Sequence, residues 1–179
     1  MTRKTILTSF ALGTGLAISA CSTVSELPNE RLADAQLRFA NGLPAGTAQL
    51  VSNGETVSLV VLATGIEPGE HGFHLHTTGK CEAPGFTSAG GHLNPEGNEH
   101  GSLNPAGKHL GDLPNLVVGA SRSASADVDL GPASESLIAT LFDADGTAVV
   151  IHAEADDYRS DPAGDAGSRV ACGVLKRTD

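Results

Sequence analysis

Apolar and polar residues alternate in short runs along most of this chain. Thr56-Val57-Ser58-Leu59-Val60 is the plainest case. Successive side chains on an extended backbone take opposite faces, so Val57 and Leu59 share one face and Ser58 the other. Reading the chain this way predicts strands near 34–40, 46–52, 56–63, 71–76, 115–121, 125–130, 136–143, 147–153 and 168–175. Asn-Gly at 41–42 and 53–54, Pro-Gly at 68–69 and Asp-Gly at 145–146 mark turns between them. Two apolar runs around Asp143-Ala144-Asp145-Gly146 predict a hairpin over 136–152. Capped runs of ten or more residues with helical periodicity are missing. The pattern therefore predicts an all-β fold. Residues 77–114 interrupt it with a Gly- and Pro-rich stretch, and a loop of that length in a compact domain is usually functional or disordered.

The two ends of the chain change this picture. Arg3 and Lys4, an apolar run from Ile6 to Ile18, and Ile18-Ser19-Ala20-Cys21 read as a secretory signal over residues 1–20. Small residues directly before a cysteine resemble the bacterial lipoprotein processing signal, with Cys21 as the lipidated first residue. The apolar run is too short, and too rich in Gly, Ser and Thr, for a membrane span. Residues 21–33 read as a lipidated N-terminus and tether, and 34–179 as one domain of about 145 residues with a real core. The implied location is the periplasm, on a bacterial membrane. Ser22 rather than Asp after Cys21 resembles sorting to the outer membrane.

Three cysteines in an exported chain call for an explanation of the odd one. Lipidation of Cys21 provides it, and leaves Cys81 and Cys172 as a disulfide pair in an oxidising compartment. Removing residues 1–20 takes away two basic residues and moves the formal charge from −10 to −12. That balance argues against nucleic acid or an anionic membrane surface as partner.

Candidate chemistry rests on the seven histidines. In His71-Gly72-Phe73-His74-Leu75-His76, strand geometry puts His74 and His76 on one face, about 7 Å apart, and His71 on the other. Imidazole pairs on a stiff backbone suit copper or zinc. His92, His100 and His109, with Asp112, lie in the long loop, which a metal could staple into order. His152 ends the apolar run 148–151, shortly before Glu154, Asp156 and Asp157.

From residue 34 to about 175 the chain resembles the exported copper/zinc superoxide dismutases of bacteria. The blocks that carry the resemblance are Gly-Phe-His-Leu-His (72–76), Ser-Ala-Gly-Gly-His-Leu-Asn-Pro (88–95), His-Leu-Gly-Asp-Leu (109–113), Val-Ile-His (150–152) and Gly-Ser-Arg-Val-Ala-Cys-Gly-Val (167–174). The resemblance implies an antiparallel Greek-key β-barrel or sandwich of about eight strands with long metal-binding and active-site loops. It implies one copper ion held by His74, His76, His92 and His152, and one zinc ion held by His92, His100, His109 and Asp112. His92 would bridge the two. Asp156 would link His74 and His100 by hydrogen bonds, Cys81–Cys172 would be the intrasubunit disulfide, and Arg169 would guide the anion beside the copper. The implied reaction turns two superoxide anions into dioxygen and hydrogen peroxide, with His92 and Arg169 as the catalytic side chains. His71 matches a histidine that is not a ligand.

Acidic residues dominate between His152 and Arg169, where Arg159 is the sole basic one, so further steering of superoxide falls to Lys108 or Arg159. The competing readings are a periplasmic copper or zinc buffer and an inactive member of the same fold. The complete ligand set and Arg169 favour the enzyme. Members of the family occur as monomers and as homodimers, and both states stay open at this point.

Overall fold

The computed structural model describes residues 29–178. Residues 1–28, which include Cys21, the predicted signal and most of the predicted tether, lie outside the described residues. Ten strands are present among the described residues: β1 (Glu30–Phe39), β2 (Pro44–Ser52), β3 (Thr56–Thr64), β4 (Gly69–His71), β5 (Phe73–His76), β6 (Leu116–Val118), β7 (Ser123–Pro132), β8 (Ala148–His152), β9 (Arg169–Val174) and β10 (Lys176–Arg177). One antiparallel sheet runs in the order β5-β8-β9-β1-β2-β3-β7, with β10 also paired to β1. A separate ribbon pairs β4 with β6. The main sheet curls into a half-barrel around a core of Ala, Val and Leu with few aromatic rings.

Alternation accounts for the core. On β3, Val57, Leu59, Val61 and Ala63 are fully buried, while Ser58 and Val60 are only partly covered and Leu62 is exposed. Each buried Val or Leu contributes about 1.5–3 kcal/mol. On β5, Phe73 and Leu75 enter the same core, so His74 and His76 must project from the opposite surface of the sheet. β8 is buried on both faces. Val149 and Ile151 join the barrel core, whereas Ala148 and Val150 pack with Phe86, Ala89 and Cys172 on the other side. The long loop thus covers the outside of the sheet, and the histidines lie between sheet and loop.

Four local expectations are corrected. Residues 136–143 form no strand: α1 (Glu135–Leu141) is a helix, and the predicted hairpin over 136–152 does not exist. Ser134 caps this helix by accepting a hydrogen bond from the Leu137 amide, and Leu137 and Leu141, four residues apart, bury one face. Two turns are too short for their period to stand out from an apolar strand. Asp143 then turns the chain into β8, its carboxylate accepting from the amides of Asp145 and Gly146. The domain also starts earlier than residue 34, because β1 pairs from Glu30 with Ser52 and bulges between Arg31 and Ala33. The predicted strand 71–76 is broken at Gly72, with His71 paired in the β4–β6 ribbon and Phe73 in the main sheet. The predicted strand 115–121 shortens to β6, three residues long.

The 77–114 stretch contains a single turn of 3-10 helix, Thr87–Ala89, and otherwise follows the sheet by backbone hydrogen bonds. Leu75 donates to Gly111 and accepts from Leu93, and Thr77 donates to Gly91. At Gly111 a Cβ would lie 2.3 Å from the Leu75 carbonyl oxygen, so only glycine permits this approach. The disulfide Cys81–Cys172 (Cα–Cα 5.6 Å) ties the start of the loop to β9.

Candidate metal centre

Each histidine of the centre except His92, which belongs to both groups, is held by one ring nitrogen and presents the other inward. His74 Nε2 donates to Asp156 Oδ2 (2.7 Å), and His76 Nδ1 donates to the Gly90 carbonyl (3.0 Å). His152 Nδ1 faces the Gly167 carbonyl at 3.3 Å. His100 Nε2 donates to Asp156 Oδ1 (3.0 Å) and His109 Nε2 to the Asn98 carbonyl (3.1 Å). A neutral imidazole has one N–H, so these bonds fix each tautomer and leave a lone pair on the inner nitrogen.

Inner atoms gather in two groups. His74, His76, His92 and His152 form one, and His92, His100, His109 and Asp112 the other. Within each, the four candidate ligand atoms lie within 4.8 Å of one another, on buried side chains. In the first group His74 Nδ1, His76 Nε2, His92 Nε2 and His152 Nε2 are buried without a hydrogen-bond partner. Leaving a polar atom so placed costs about 1–3 kcal/mol, and four converging on one point fit a cation that prefers imidazole. In the second group the Nδ1 atoms of His92, His100 and His109 lie 2.8, 3.0 and 3.0 Å from Asp112 Oδ1. With their N–H groups spent on Asp156 and Asn98, His100 and His109 point lone pairs at a carboxylate oxygen. A dication on which all four ligands converge turns that repulsion into coordination, and three nitrogens with one oxygen suit zinc.

Burial poises the site for metal. It holds His76 down to about 2, against the Gly90 hydrogen bond, and His152 down to about 3 with help from the neighbouring His74. His92 is pushed down to about 4, also by burial, although its bond to Asp112 opposes this. All three rings are therefore neutral and able to ligate at neutral pH. Burial would raise Asp112, but hydrogen bonds from His92 and from the Gly101 and His109 amides hold it below the usual carboxylate range. Asp156 is lowered in the same way, with burial outweighed by His74, His100 and the Tyr158 amide.

Every predicted ligand enters one of the two groups, and Asp156 touches both through its two oxygens. His71 stays out, with Nδ1 2.8 Å from the His152 carbonyl and Nε2 2.9 Å from that of Glu67. Arg169, paired with His152 between β8 and β9, donates to the carbonyls of Phe86 (2.7 Å) and Gly90 (2.6 Å). Gly90 O therefore receives both the guanidinium and the His76 ring. Lys108 is turned into its own loop, Nζ 3.4 Å from the Asp112 carbonyl, and Arg159 is exposed.

Sequence reasoning missed Asn115 and Tyr158. The Asn115 amide grips the Asp156 backbone on both sides, Nδ2 to O (2.9 Å) and Oδ1 from N (2.8 Å). Tyr158 Oη accepts from the Asn115 amide (2.7 Å). The sole signal was that the chain's one tyrosine sits in an otherwise polar, acidic segment.

A half-barrel carrying a buried pair of imidazole-rich sites that share one histidine defines an all-β protein with a dinuclear metal centre. Residues 44–175 match the family model described as copper/zinc superoxide dismutase. The chain is 43% identical over 148 residues to copper–zinc superoxide dismutase 2 of Aquifex aeolicus, covering 80% of this chain and 86% of that one. It is 38% identical over 148 residues to the copper–zinc superoxide dismutase of Caulobacter vibrioides, covering 80% and 85%. Among solved structures, a superoxide dismutase-like protein from Bacillus subtilis superposes with a TM-score of 0.76 at 37% identity, over 82% of this chain and all of that one. The chain belongs to the copper/zinc superoxide dismutase family.

Proposed function

We propose that this protein dismutes superoxide to dioxygen and hydrogen peroxide, with copper held by His74, His76, His92 and His152 and zinc by His92, His100, His109 and Asp112. The observation that carries this is His92, whose Nε2 joins one group of ligand atoms while its Nδ1 lies 2.8 Å from Asp112 in the other. When bound, copper supplies one-electron redox chemistry and zinc a fixed charge beside the shared ring. The protein's own part is positional and electrostatic. Asp156 holds His74 and His100 in place. Arg169 puts a permanent positive charge next to His76 and His152, drawing a small anion into an otherwise acidic molecule, because steering depends on the local field rather than on net charge. His92 Nε2, buried and without a protein partner, is the atom at which a proton can be kept for a departing peroxide.

The test is metal analysis of the purified protein beside a superoxide-consumption assay. One copper and one zinc per chain with rapid turnover, lost in His92→Ala, is the expected result. Parent-like turnover in His92→Ala would overturn the shared-ligand assignment. We also propose export and lipid anchoring through Cys21, supported by Ile18-Ser19-Ala20-Cys21 after an apolar run. Cys21→Ser should then leave the membrane fraction after export, and continued partitioning with membranes would refute the anchor.

A further inference from the structure

Tyr158 is in contact with three parts of the centre at once. Its backbone takes φ 62°, a left-handed conformation that a bulky residue adopts only when its surroundings impose it. Its amide donates to Asp156 Oδ1 (2.6 Å). Its carbonyl accepts from the Leu103 amide (3.0 Å), and Gly101 passes so close that a Cβ there would lie 2.1 Å from the same oxygen. Its hydroxyl accepts from the Asn115 amide, and the Asn115 side chain in turn grips Asp156. One residue therefore joins the loop between β8 and β9, the ligand loop at 101–103 and the entry to β6.

These contacts do not bear equally on the two oxygens of Asp156. Oδ1 takes both the Tyr158 amide and His100 Nε2, while Oδ2 takes His74 Nε2. A shift of Tyr158 thus acts first on the oxygen that orients His100, on the zinc side. The His74 side feels it only through rotation of the whole carboxylate.

We propose that Tyr158 is a positioning residue for zinc: its hydroxyl, anchored on Asn115, fixes the turn that aims Asp156 Oδ1 at His100, and so sets how long zinc is retained. The inference rests on the zinc assignment proposed above. Losing the hydroxyl frees the Asn115 amide and loosens the turn, yet leaves every ligand and the ring itself in place.

The test compares the metal-loaded parent with Tyr158→Phe by following transfer of zinc, and separately of copper, to a coloured chelator. Mutation of partners outside the ligand shell typically costs metal affinity about 10–100-fold, so zinc release should quicken by about fivefold or more while copper release changes less than about twofold. Ser160→Ala, which removes a hydrogen bond to Asp157 in the same loop, should leave both rates unchanged. A second reading needs no mutation: with no tryptophan and Tyr158 as the one tyrosine, the fine structure at about 275–285 nm, above the phenylalanine bands, follows Tyr158, and withdrawing zinc should shift it. Zinc release from Tyr158→Phe within about twofold of the parent overturns the inference but leaves the zinc assignment standing. Equal acceleration of both metals, with a matching fall in the urea midpoint of the metal-free chain, makes Tyr158 mere packing and also overturns it. Undiminished zinc content in His109→Ala would overturn the assignment and the inference together.

Discussion

Stripping both metals and lowering the pH should unfold this protein well above the usual acid range. His76, His92 and His152 are held by burial to about 2, 4 and 3, against about 6.5 in an unfolded chain. The folded chain therefore binds fewer protons than the unfolded one throughout this window. Stability from these rings is complete above about pH 6.5 and is lost as pH falls toward the folded values. Each ring costs about 1.4 kcal/mol per pH unit once the unfolded form is protonated. Three rings together cost about 4 kcal/mol per unit, and about 6 kcal/mol by pH 5 relative to neutral pH. A domain stable by 5–15 kcal/mol can lose most of its margin over that interval. The depressed Asp112 and Asp156 add a further loss at lower pH, below about 4, as those carboxylates protonate. The assay is urea unfolding of the metal-free chain, followed by far-ultraviolet circular dichroism at pH 7.5, 6 and 5. His76→Gln should reduce the slope by about one third. A slope below about 1.4 kcal/mol per pH unit would refute the reasoning, since it would mean that the covering loops open and hydrate the rings without global unfolding.

Three further outcomes can be checked separately. In Gly164→Ala a Cβ would lie 2.0 Å from Asp156 Oδ1 and 2.7 Å from His100 Nε2 at φ +65°, so the purified variant should hold well under one zinc per chain by elemental analysis. Arg169→Ile should lower kcat/KM by about tenfold or more and flatten its dependence on ionic strength, because the charge beside the site and its hold on Gly90 O are both lost. Replacing Cys81 and Cys172 together by alanine opens a bridge that spans 91 residues, and on the chain-entropy model the urea midpoint should fall by the equivalent of about 4–5 kcal/mol.

Much of this candidate centre could be read from residue order because its first two candidate ligands obey a local rule. His74 and His76 share a face through strand parity, and the same parity sends Phe73 and Leu75 into the core. The alternation of β3 was equally plain, as the buried Val57, Leu59, Val61 and Ala63 attest. The misreading at 136–143 came from the same rule. Leu137, Ile138 and Leu141 in seven residues fit a strand or a helix, and the choice lay in the Ser134 cap and in which face found a partner.

What residue order determined by itself was the all-β character, the parity of the first histidine pair and the inventory of candidate ligands. Family resemblance sorted those ligands, but local pattern could not, because His152 and His92 reach His74 only when β8 pairs with β5 and the loop folds back along Leu75. Tertiary structure alone decided the tautomers, since each is set by a backbone carbonyl or carboxylate contributed by another segment. It also decided the roles of Asn115 and Tyr158. Their bonds span 41 to 43 residues, and no periodicity records a partner at that distance. A side chain's face follows from its own strand, but the atom it meets there depends on the path of a distant one.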